Sequence, residues 1–380
     1  MISSSSCPPG LSIAEYAELS AETDKFDPQS LTAVLLGIFG EVGSLMTISK
    51  KFYREGWSYP AHRNAVIEEF GDILWYLAAL CRRMDYSLED FFRDVSNGED
   101  VSTVLVTGMT PEAPVASVRS FTQKIEFTDL LLRLGRGTAA LMDSSTDRTP
   151  SRSDLIRFLK LYLQAVQACG ISLEHIARVN LKKTRGRFLS SSFDQLPNFD
   201  ADFRLEERIP EEFRIEVTER SSGKSYLRWK GVFIGEPLTD NIQDRDGYRF
   251  HDVFHFAHAA VLHWSPTFRA LIRHKRKSNV GCDEDEDGGR AIVIEEGLSA
   301  YVFSCAKELD FFEGQTSVSF DLLKTVKNFV RGYEVDRCPL WLWERAILQG
   351  YSAFRLLLAN NGGAIVGDRT ERILSYETIE

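Results

Sequence analysis

The chain has 380 residues, of which 43% are hydrophobic and 26% charged, and this composition is ordinary for a globular protein of two or three domains. Its net charge of −10 argues against a general nucleic-acid binder held by overall charge. Its six cysteines lie far apart without a CxxC pair, which argues against a zinc ribbon or a disulfide framework and favours a reducing cytoplasm.

The N-terminal end, residues 1–10, is predicted to be a disordered tail. Its sequence, MISSSSCPPG, has neither the basic region nor the apolar region of a secretion signal. We expect no apolar run to approach the roughly 20 residues that a membrane span needs. A cytoplasmic protein without a membrane partner is therefore expected.

Residues 11–97 are predicted to form a four-helix unit. Ser12 and Glu15 fit a capping box before the first helix. The second helix is expected from about residue 30 to 54, where the sequence GWSYP breaks it. The third, from about residue 64 to 84, is apolar nearly all round and should be buried. A fourth helix begins near Ser87.

Residues 98–116 lack helical periodicity and are predicted to be a linker, after which the helical pattern returns. YSLED at 86–90 recurs as ISLEH at 171–175, and LLGIFGEVGSLM resembles LLLRLGRGTAALMD at 130–143. We therefore interpret residues 117–200 as a second, divergent copy of the first unit. One such unit buries little apolar surface alone, so the two copies are expected to pack as a pseudo-dimer.

Residues 201–380 have a different pattern and are predicted to form a mostly helical α+β domain. EFRIEVTER and SYLRWKGVFIG, separated by SSGK, indicate a β-hairpin. Helical patterns follow at about 247–264, 266–276, 290–309, 317–331 and 339–359. The whole chain is thus predicted to be mainly α. No family resemblance is found for this half.

Three acidic residues of the first copy occupy or flank core-facing positions. Glu41 lies on the apolar stripe of the second helix, Glu69 lies on that of the third, and Asp72 is one turn further on. Converging buried carboxylates repel one another unless a cation compensates them. We therefore predict that these three residues bind Mg²⁺, or Mn²⁺, and are catalytic. The alternative is a separate Arg or Lys partner for each acid.

The same residues carry a family resemblance. GEVGSL, followed by EEFGDILWYLAAL with Glu69 lying 28 residues after Glu41, resembles the MazG-like nucleotide pyrophosphohydrolases. The resemblance covers about residues 11–190. It implies an all-α fold, an ExxE pair on one helix and an ExxD pair on the next, and Mg²⁺-dependent cleavage of nucleoside triphosphates between the α- and β-phosphates.

The family motifs match this chain in part. Glu69 and Asp72 match the ExxD pair and Glu41 the first Glu of ExxE, but Ser44 stands where the second Glu is expected. A site with three carboxylates could hold one metal fewer or bind it more weakly. The resemblance therefore leaves two functions open. One is hydrolysis of (d)NTP to (d)NMP and pyrophosphate, and the other is nucleotide sensing by a degenerate site.

The resemblance also implies a phosphate-binding motif of the form NxxKxxxR. The first copy has nothing like it, whereas Asn180, Lys183 and Arg187 of the second copy match it. We therefore expect a composite site, with acids from the first copy and cations from the second. Further phosphate candidates at the end of the second helix are Lys50, Lys51 and Arg54. Either basic group could instead be a solvated helix end that suits the helix dipole.

A second candidate site lies in the C-terminal domain. His251, His255 and His258 fall at i, i+4 and i+7 and share one helix face, with Asp252 beside them and Glu295 and Glu296 in a later helix. Imidazole and carboxylate ligands suit Zn²⁺, Mn²⁺ or Fe²⁺. A transition metal or an acid–base site is one interpretation. Buried histidines satisfied by hydrogen bonds are the other.

These patterns predict a pyrophosphohydrolase whose partner is its nucleoside triphosphate substrate, with a C-terminal accessory or second catalytic domain. In the alternative, a nucleotide sensor regulates the His-rich C-terminal domain. A purely structural helical protein is the third interpretation. A homo-oligomer is compatible with each of them, and the sequence does not select the base or the sugar.

Overall fold

The computed structural model describes residues 10–59, 62–95, 124–142, 149–240, 243, 245–283 and 286–379. The chain divides into two compact units, which we call unit 1 (residues 1–189) and unit 2 (residues 190–380). Residues 1–9 of the expected tail and the predicted linker at 98–116 lie outside the described residues.

Unit 1 is helical throughout the ranges that the structure describes. Its helices are α1 (Ile13–Ala21), α2 (Leu31–Glu55), α3 (His62–Arg83), α4 (Leu88–Val95), α5 (Lys124–Met142), α6 (Arg152–Ala168) and α7 (Leu173–Phe188). The predicted cap is present, because the Ser12 hydroxyl accepts a hydrogen bond from the Glu15 N–H at 3.1 Å. A short 3₁₀ turn, Gly56–Ser58, follows α2 at the predicted break.

The helices of both predicted copies pack around one apolar core in unit 1. Its fully buried members come from α2, α3, α5, α6 and α7, among them Ile38, Phe70, Leu134, Phe158 and Ile176. At its centre the Tyr162 hydroxyl donates a hydrogen bond to the Phe70 carbonyl oxygen at 2.9 Å. This shared core agrees with two copies that stabilise each other. The pseudo-dimeric relation between them stays a prediction.

Two glycines bring the helices that carry the acidic residues close to their neighbours. A Cβ atom at Gly37 of α2 would lie 2.2 Å from the Tyr76 ring of α3. A Cβ atom at Gly71 of α3 would lie 2.8 Å from the Asn180 Cβ of α7. Side chains at both positions would push α3 away from α2 and α7, so the glycines set the spacing around Glu41, Glu69 and Asp72.

Helix α2 is more apolar than we expected from the sequence. The segment Leu31–Ser58 is long and apolar enough to cross a membrane by length and composition. This corrects the expectation that no run approaches that length. Within unit 1, 28% of this segment's most apolar window is buried. Val34, Ile38 and Leu45 lie in the core, whereas Leu36 and Phe39 are exposed.

Unit 2 contains a five-stranded antiparallel sheet. Its strands are β1 (Glu212–Glu219), β2 (Ser225–Trp229), β3 (Val232–Leu238), β4 (Gly362–Asp368) and β5 (Ile373–Glu377), in the order β3-β2-β1-β4-β5. The predicted hairpin is confirmed for β1 and β2. Its second arm is two strands rather than one, because Lys230 and Gly231 have φ of 50° and 80° and form a two-residue turn.

The helices of unit 2 agree with the predicted ones in number and approximate position, apart from one short additional turn. They are α8 (Asp252–Ala257), α9 (Pro266–Ile272), α10 (Val280–Asp283), α11 (Glu286–Lys307), α12 (Phe320–Phe329) and α13 (Leu340–Asn360). Helix α8 continues into a π-helical stretch, His258–Leu262. Buried Trp343, Tyr351 and Phe354 of α13 belong to the same core as α8 and the sheet.

Candidate functional site

The structure brings the three predicted acids of unit 1 together. Glu41 comes from α2, whereas Glu69 and Asp72 come from adjacent turns of α3. One carboxylate oxygen from each lies within 4.8 Å of those of the other two, and all three side chains are partly buried. We call Glu41, Glu69 and Asp72 the acid cluster. Their role as metal ligands stays a prediction.

The electrostatics of Glu69 show how the cluster behaves without a cation. Burial, together with a hydrogen bond to Glu41 and the negative charge of Glu41, raises the pKa of Glu69 to about 8. At neutral pH the Glu69 carboxyl therefore holds a proton between itself and Glu41. A metal ion among these carboxylates would reduce the same repulsion.

Asp72 is held by two residues of α7. The Asn180 side-chain N–H donates to Asp72 Oδ1 at 2.9 Å, and Lys183 forms an ion pair with Asp72 Oδ2. Burial raises the pKa of Asp72 and the Lys183 ammonium lowers it, with a net value of about 6. Asn180 is itself fixed, because its Oδ1 accepts a hydrogen bond from the Tyr16 hydroxyl at 2.9 Å.

Glu68 is a member of this site that the sequence reasoning missed. Its Oε1 lies 3.0 Å from the Lys183 ammonium, so Lys183 bridges Glu68 and Asp72. The sequence spacing did indicate it, because Glu68 lies four positions before Asp72 and both residues therefore share one helix face. Four carboxylates with one ammonium leave a formal charge of −3 when all are ionised. One lysine therefore cannot neutralise the site.

The second copy contributes part of its predicted basic motif to the site. Asn180 and Lys183 contact Asp72, whereas Arg187 lies one turn beyond Lys183 on α7, with its guanidinium 5.6 Å from the Phe188 ring. At the positions matching Glu69 and Asp72, the second copy has Asp154 and Arg157, which pair with each other. The acids and the cations therefore come from the two segments that the sequence analysis predicts to be copies of one unit.

The other predicted phosphate candidates are remote from the acid cluster. Lys50, Lys51 and Arg54 follow Glu41 on α2 by 9 to 13 residues, which corresponds to about 14–20 Å of helix. The Lys51 ammonium lies 6.0 Å from the centre of the Tyr59 ring, and Arg54 pairs with the neighbouring Glu55. The structure thus does not bring these three cations to the acids.

The predicted binding of Mg²⁺ to the acid cluster should depend on pH because the pKa of Glu69 is raised. The contribution of the Glu69 carboxyl to the stability of metal-free unit 1 is fully present below pH 4.5, the ordinary pKa of glutamate. This contribution is lost as the pH rises through about 8, the pKa of Glu69 in the folded protein. Mg²⁺ must displace the proton, so its binding should strengthen over the same interval. We expect saturating Mg²⁺ to raise the melting temperature by about 5 °C more at pH 8.5 than at pH 6.

Thermal unfolding with and without Mg²⁺ across this pH range measures the effect. The matched control is Glu69→Gln, whose Mg²⁺-induced shift should be small and nearly independent of pH. A wild-type shift equal at both pH values would contradict the proton–metal exchange.

The second candidate site lies in unit 2, where α8 faces α11. The His255 Nδ1 is 3.3 Å from Glu295 Oε1 and its Nε2 is 3.3 Å from Glu296 Oε1. The His251 Nε2 is 3.8 Å from Glu296 Oε2 and 4.0 Å from Asp252 Oδ1. With His258, these residues form what we call the histidine cluster. All six predicted residues are brought together.

Glu295 is the most constrained residue of the histidine cluster. It is completely buried, its Oε1 lies 2.9 Å from His258 Nδ1, and its Oε2 accepts the Thr267 N–H at 2.9 Å. His255 is also completely buried, yet neither of its ring nitrogens makes a hydrogen bond to any part of the chain that the structure describes. His258 Nδ1 is therefore hydrogen-bonded, whereas His255 is held by ion pairs without hydrogen-bond geometry. Burial lowers the pKa of His255, and the charges of Glu295 and Glu296 raise it to a net position well above its ordinary value.

A comparison with known families found a match for the C-terminal half of the chain. Residues 194–380 match the family model described as MazG C-terminal domain, so this part of the chain is similar to that domain. The match corrects the sequence analysis, which found no family resemblance after residue 200. No curated protein and no solved structure matches the chain.

Proposed function

We propose that this chain, whose residues 194–380 match the MazG C-terminal domain, is a Mg²⁺-dependent nucleoside triphosphate pyrophosphohydrolase with its active site in unit 1. The observation that carries the proposal is the convergence of Glu41, Glu69 and Asp72, with ligand atoms within 4.8 Å of one another. The family match supports a relation of this chain to MazG proteins. The convergence of the three acids supports Mg²⁺-dependent hydrolysis of a nucleoside triphosphate.

The acid cluster fits a hard divalent cation. Its donors are carboxylate oxygens, which Mg²⁺ and Mn²⁺ prefer. Without a cation Glu69 holds a proton at neutral pH, and among the described residues Lys183 is the ammonium that pairs with Glu68 and Asp72, so the site keeps a net negative charge. A divalent ion would replace the Glu69 proton and reduce the repulsion between the carboxylates.

The proposed reaction converts a nucleoside triphosphate and water into a nucleoside monophosphate and pyrophosphate. Bound Mg²⁺ supplies charge neutralisation and orientation of the phosphates. Lys183 and Arg187 of α7 bind phosphate oxygens, while Asn180 keeps the Asp72 carboxylate in place through its 2.9 Å hydrogen bond. One carboxylate of the cluster accepts the proton of the attacking water as the bond between the α- and β-phosphates breaks.

Product identification tests this function. Purified full-length protein is incubated with Mg²⁺ and each ribo- and deoxyribonucleoside triphosphate, and the products are resolved by phosphorus NMR. The expected products are the monophosphate and pyrophosphate in equal amounts. Release of a diphosphate and inorganic phosphate would contradict the proposed bond cleavage.

A nucleotide sensor is the second candidate, favoured by Ser44. This residue stands at the place of the second Glu of ExxE, so the site has one acidic ligand fewer than the resemblance implies. In that case nucleotide and Mg²⁺ would bind without turnover, and the bound state would act on unit 2. Tight binding with no product in the same nucleotide panel would favour the sensor.

Restoring the missing acid tests whether Ser44 weakens the metal site. Ser44 lies one turn beyond Glu41 on α2, so a carboxylate there can join the same face. Ser44→Glu is expected to lower the Kd for Mg²⁺ about tenfold, because an additional charged oxygen ligand joins the cation. Isothermal titration measures the change, with Ser44→Gln as the uncharged control of similar size. Equal Mg²⁺ affinity in both variants would argue against a four-acid arrangement.

A further inference from the structure

We propose that unit 2 contains a divalent transition-metal site formed by His251 Nε2, His255 Nε2 and carboxylate oxygens of Asp252 and Glu296. This site is independent of the proposed Mg²⁺ site of unit 1. Glu295 does not bind the metal in this arrangement. It is a positioning residue that holds the imidazole of His255.

His251, Asp252 and His255 each offer a ligand atom within 4.8 Å of those of the other two, and Glu296 lies beside them. The separations are 3.3 Å from His255 Nε2 to Glu296 Oε1, 3.8 Å from His251 Nε2 to Glu296 Oε2, and 4.0 Å from His251 Nε2 to Asp252 Oδ1. The longer two exceed a hydrogen bond. Ligands about 2.0 Å from a tetrahedral ion lie about 3.3 Å apart, so a small contraction of this cluster would complete a coordination shell.

The orientation of His251 is fixed in the manner expected of a metal ligand. Its Nδ1 lies 2.8 Å from the Tyr248 carbonyl oxygen, which can only accept a hydrogen bond. Nδ1 must therefore carry the proton, and in the neutral ring Nε2 has a free lone pair on the side of Asp252 and Glu296. The Tyr248 ring stacks on the imidazole at 4.3 Å and limits its rotation. Such outer hydrogen bonds typically orient ligating histidines.

His255 supplies the independent indication that a ligand is missing from this cluster. It is completely buried, and neither ring nitrogen has a hydrogen-bond partner within the ranges that the structure describes. An unsatisfied buried imidazole is costly. A metal on Nε2 would satisfy one nitrogen. The Nδ1, 3.3 Å from Glu295, would complete the His–carboxylate pair that commonly supports a metal ligand.

A second possible triad, His255 with His258 and Glu295, fits a metal less well. Both Glu295 oxygens are already engaged, one by His258 Nδ1 and the other by the Thr267 N–H. All three residues are buried, whereas the Glu296 side chain is 39% exposed and gives the outer four donors a path for metal entry. The site is therefore placed on the Glu296 side of His255.

The donor set defines the class of metal. Two imidazole nitrogens and two carboxylate oxygens suit Zn²⁺, Mn²⁺ or Fe²⁺ better than Mg²⁺ or Ca²⁺, which prefer all-oxygen shells. Zn²⁺ and the spectroscopic substitute Co²⁺ are therefore the probes of choice. They also discriminate between this centre and the all-carboxylate cluster of unit 1.

Metal loading of the full-length protein tests the proposal. Metal-stripped protein carrying Glu69→Gln, which disables the unit 1 cluster, is loaded with Zn²⁺ or Co²⁺, and the metal is quantified by mass spectrometry and by the visible absorption of Co²⁺. One equivalent per chain is expected. His251→Gln and Glu296→Gln in the same background should each weaken binding by about 10- to 100-fold. Both side chains are partly exposed, so folding should be preserved, and circular dichroism checks this.

His274→Gln is the matched control, because its Nδ1 also lies against a backbone carbonyl, that of Arg208 at 2.7 Å, away from the cluster. This variant should retain one equivalent. Full metal retention by a folded His251→Gln, Glu296→Gln double variant would overturn the proposal, as would failure of the parent protein to bind Zn²⁺. Loss of metal in His258→Gln with retention in Glu296→Gln would overturn it in favour of the inner triad.

Discussion

Glu69→Gln is expected to reduce pyrophosphate release by about 10³-fold in the presence of Mg²⁺. The substitution keeps the shape of the side chain but removes the charge that would bind the cation and position the attacking water. Steady-state assays with the best substrate of the nucleotide panel measure the loss. The same variant should lose most of the thermal stabilisation that Mg²⁺ gives to the wild type.

This variant should fold, which makes the result interpretable. Without a cation, Glu69 is protonated at neutral pH, since its pKa is raised to about 8, and glutamine imitates that neutral form. Metal-free Glu69→Gln should therefore melt no lower than the wild type. Glu89→Gln, which alters an exposed glutamate of α4 paired with Arg93, is the control and should remain fully active. Wild-type activity in Glu69→Gln would exclude the acid cluster as the active site.

Lys183→Ala is expected to lower the melting temperature of unit 1 by about 6–12 °C in the absence of metal and to raise the KM for the triphosphate. Lys183 bridges Glu68 and Asp72, and its own side chain is 20% exposed. Removing one partner of a largely buried ion pair costs about 3 kcal/mol, because like charges are left without compensation. Thermal unfolding and steady-state kinetics measure the two effects.

The neighbouring residue provides the control for Lys183. Lys182 is exposed on the adjacent position of α7, so Lys182→Ala should leave both quantities unchanged. Mg²⁺ should recover part of the stability of Lys183→Ala, since a divalent cation can take over the neutralisation of Asp72. Identical behaviour of the two alanine variants would contradict the composite site.

The helices of unit 1 and the position of the acids could be predicted because the signals are local. The serine caps Ser12 and Ser30 mark where α1 and α2 begin, and the apolar stripes of α2 and α3 determine which faces they bury. Once Glu41 and Glu69 are known to face the same core, their convergence follows from helix geometry. Local periodicity was sufficient for these features.

The pairing of Lys183 with Glu68 could not be predicted from local sequence periodicity. These residues are separated by 115 positions, and only the close approach of α3 and α7 at Gly71 brings them together. The family motif placed Lys183 among the phosphate ligands but gave no indication that it neutralises two acids. Tertiary contacts of this kind depend on how helices pack rather than on helical period.

The missed strands of unit 2 have a different cause. β4 begins with Gly362 and Gly363, whose φ values of 141° and 149° are unusual for other residues, and its sequence GGAIVGD is short and nearly all buried. A strand buried on both faces lacks the polar alternation that reveals an edge strand. The histidine cluster was predicted as a group, but the different contacts of Glu295 and Glu296 become visible only in the structure.

The most direct test of the central claim is a crystal structure of the full-length protein grown with Mn²⁺, whose anomalous scattering marks the ion. The account predicts an anomalous peak about 2.0–2.3 Å from carboxylate oxygens of Glu41, Glu69 and Asp72. Absence of any peak there at saturating Mn²⁺, with Glu69 still hydrogen-bonded to Glu41 and Asp72 held only by Asn180 and Lys183, would contradict it.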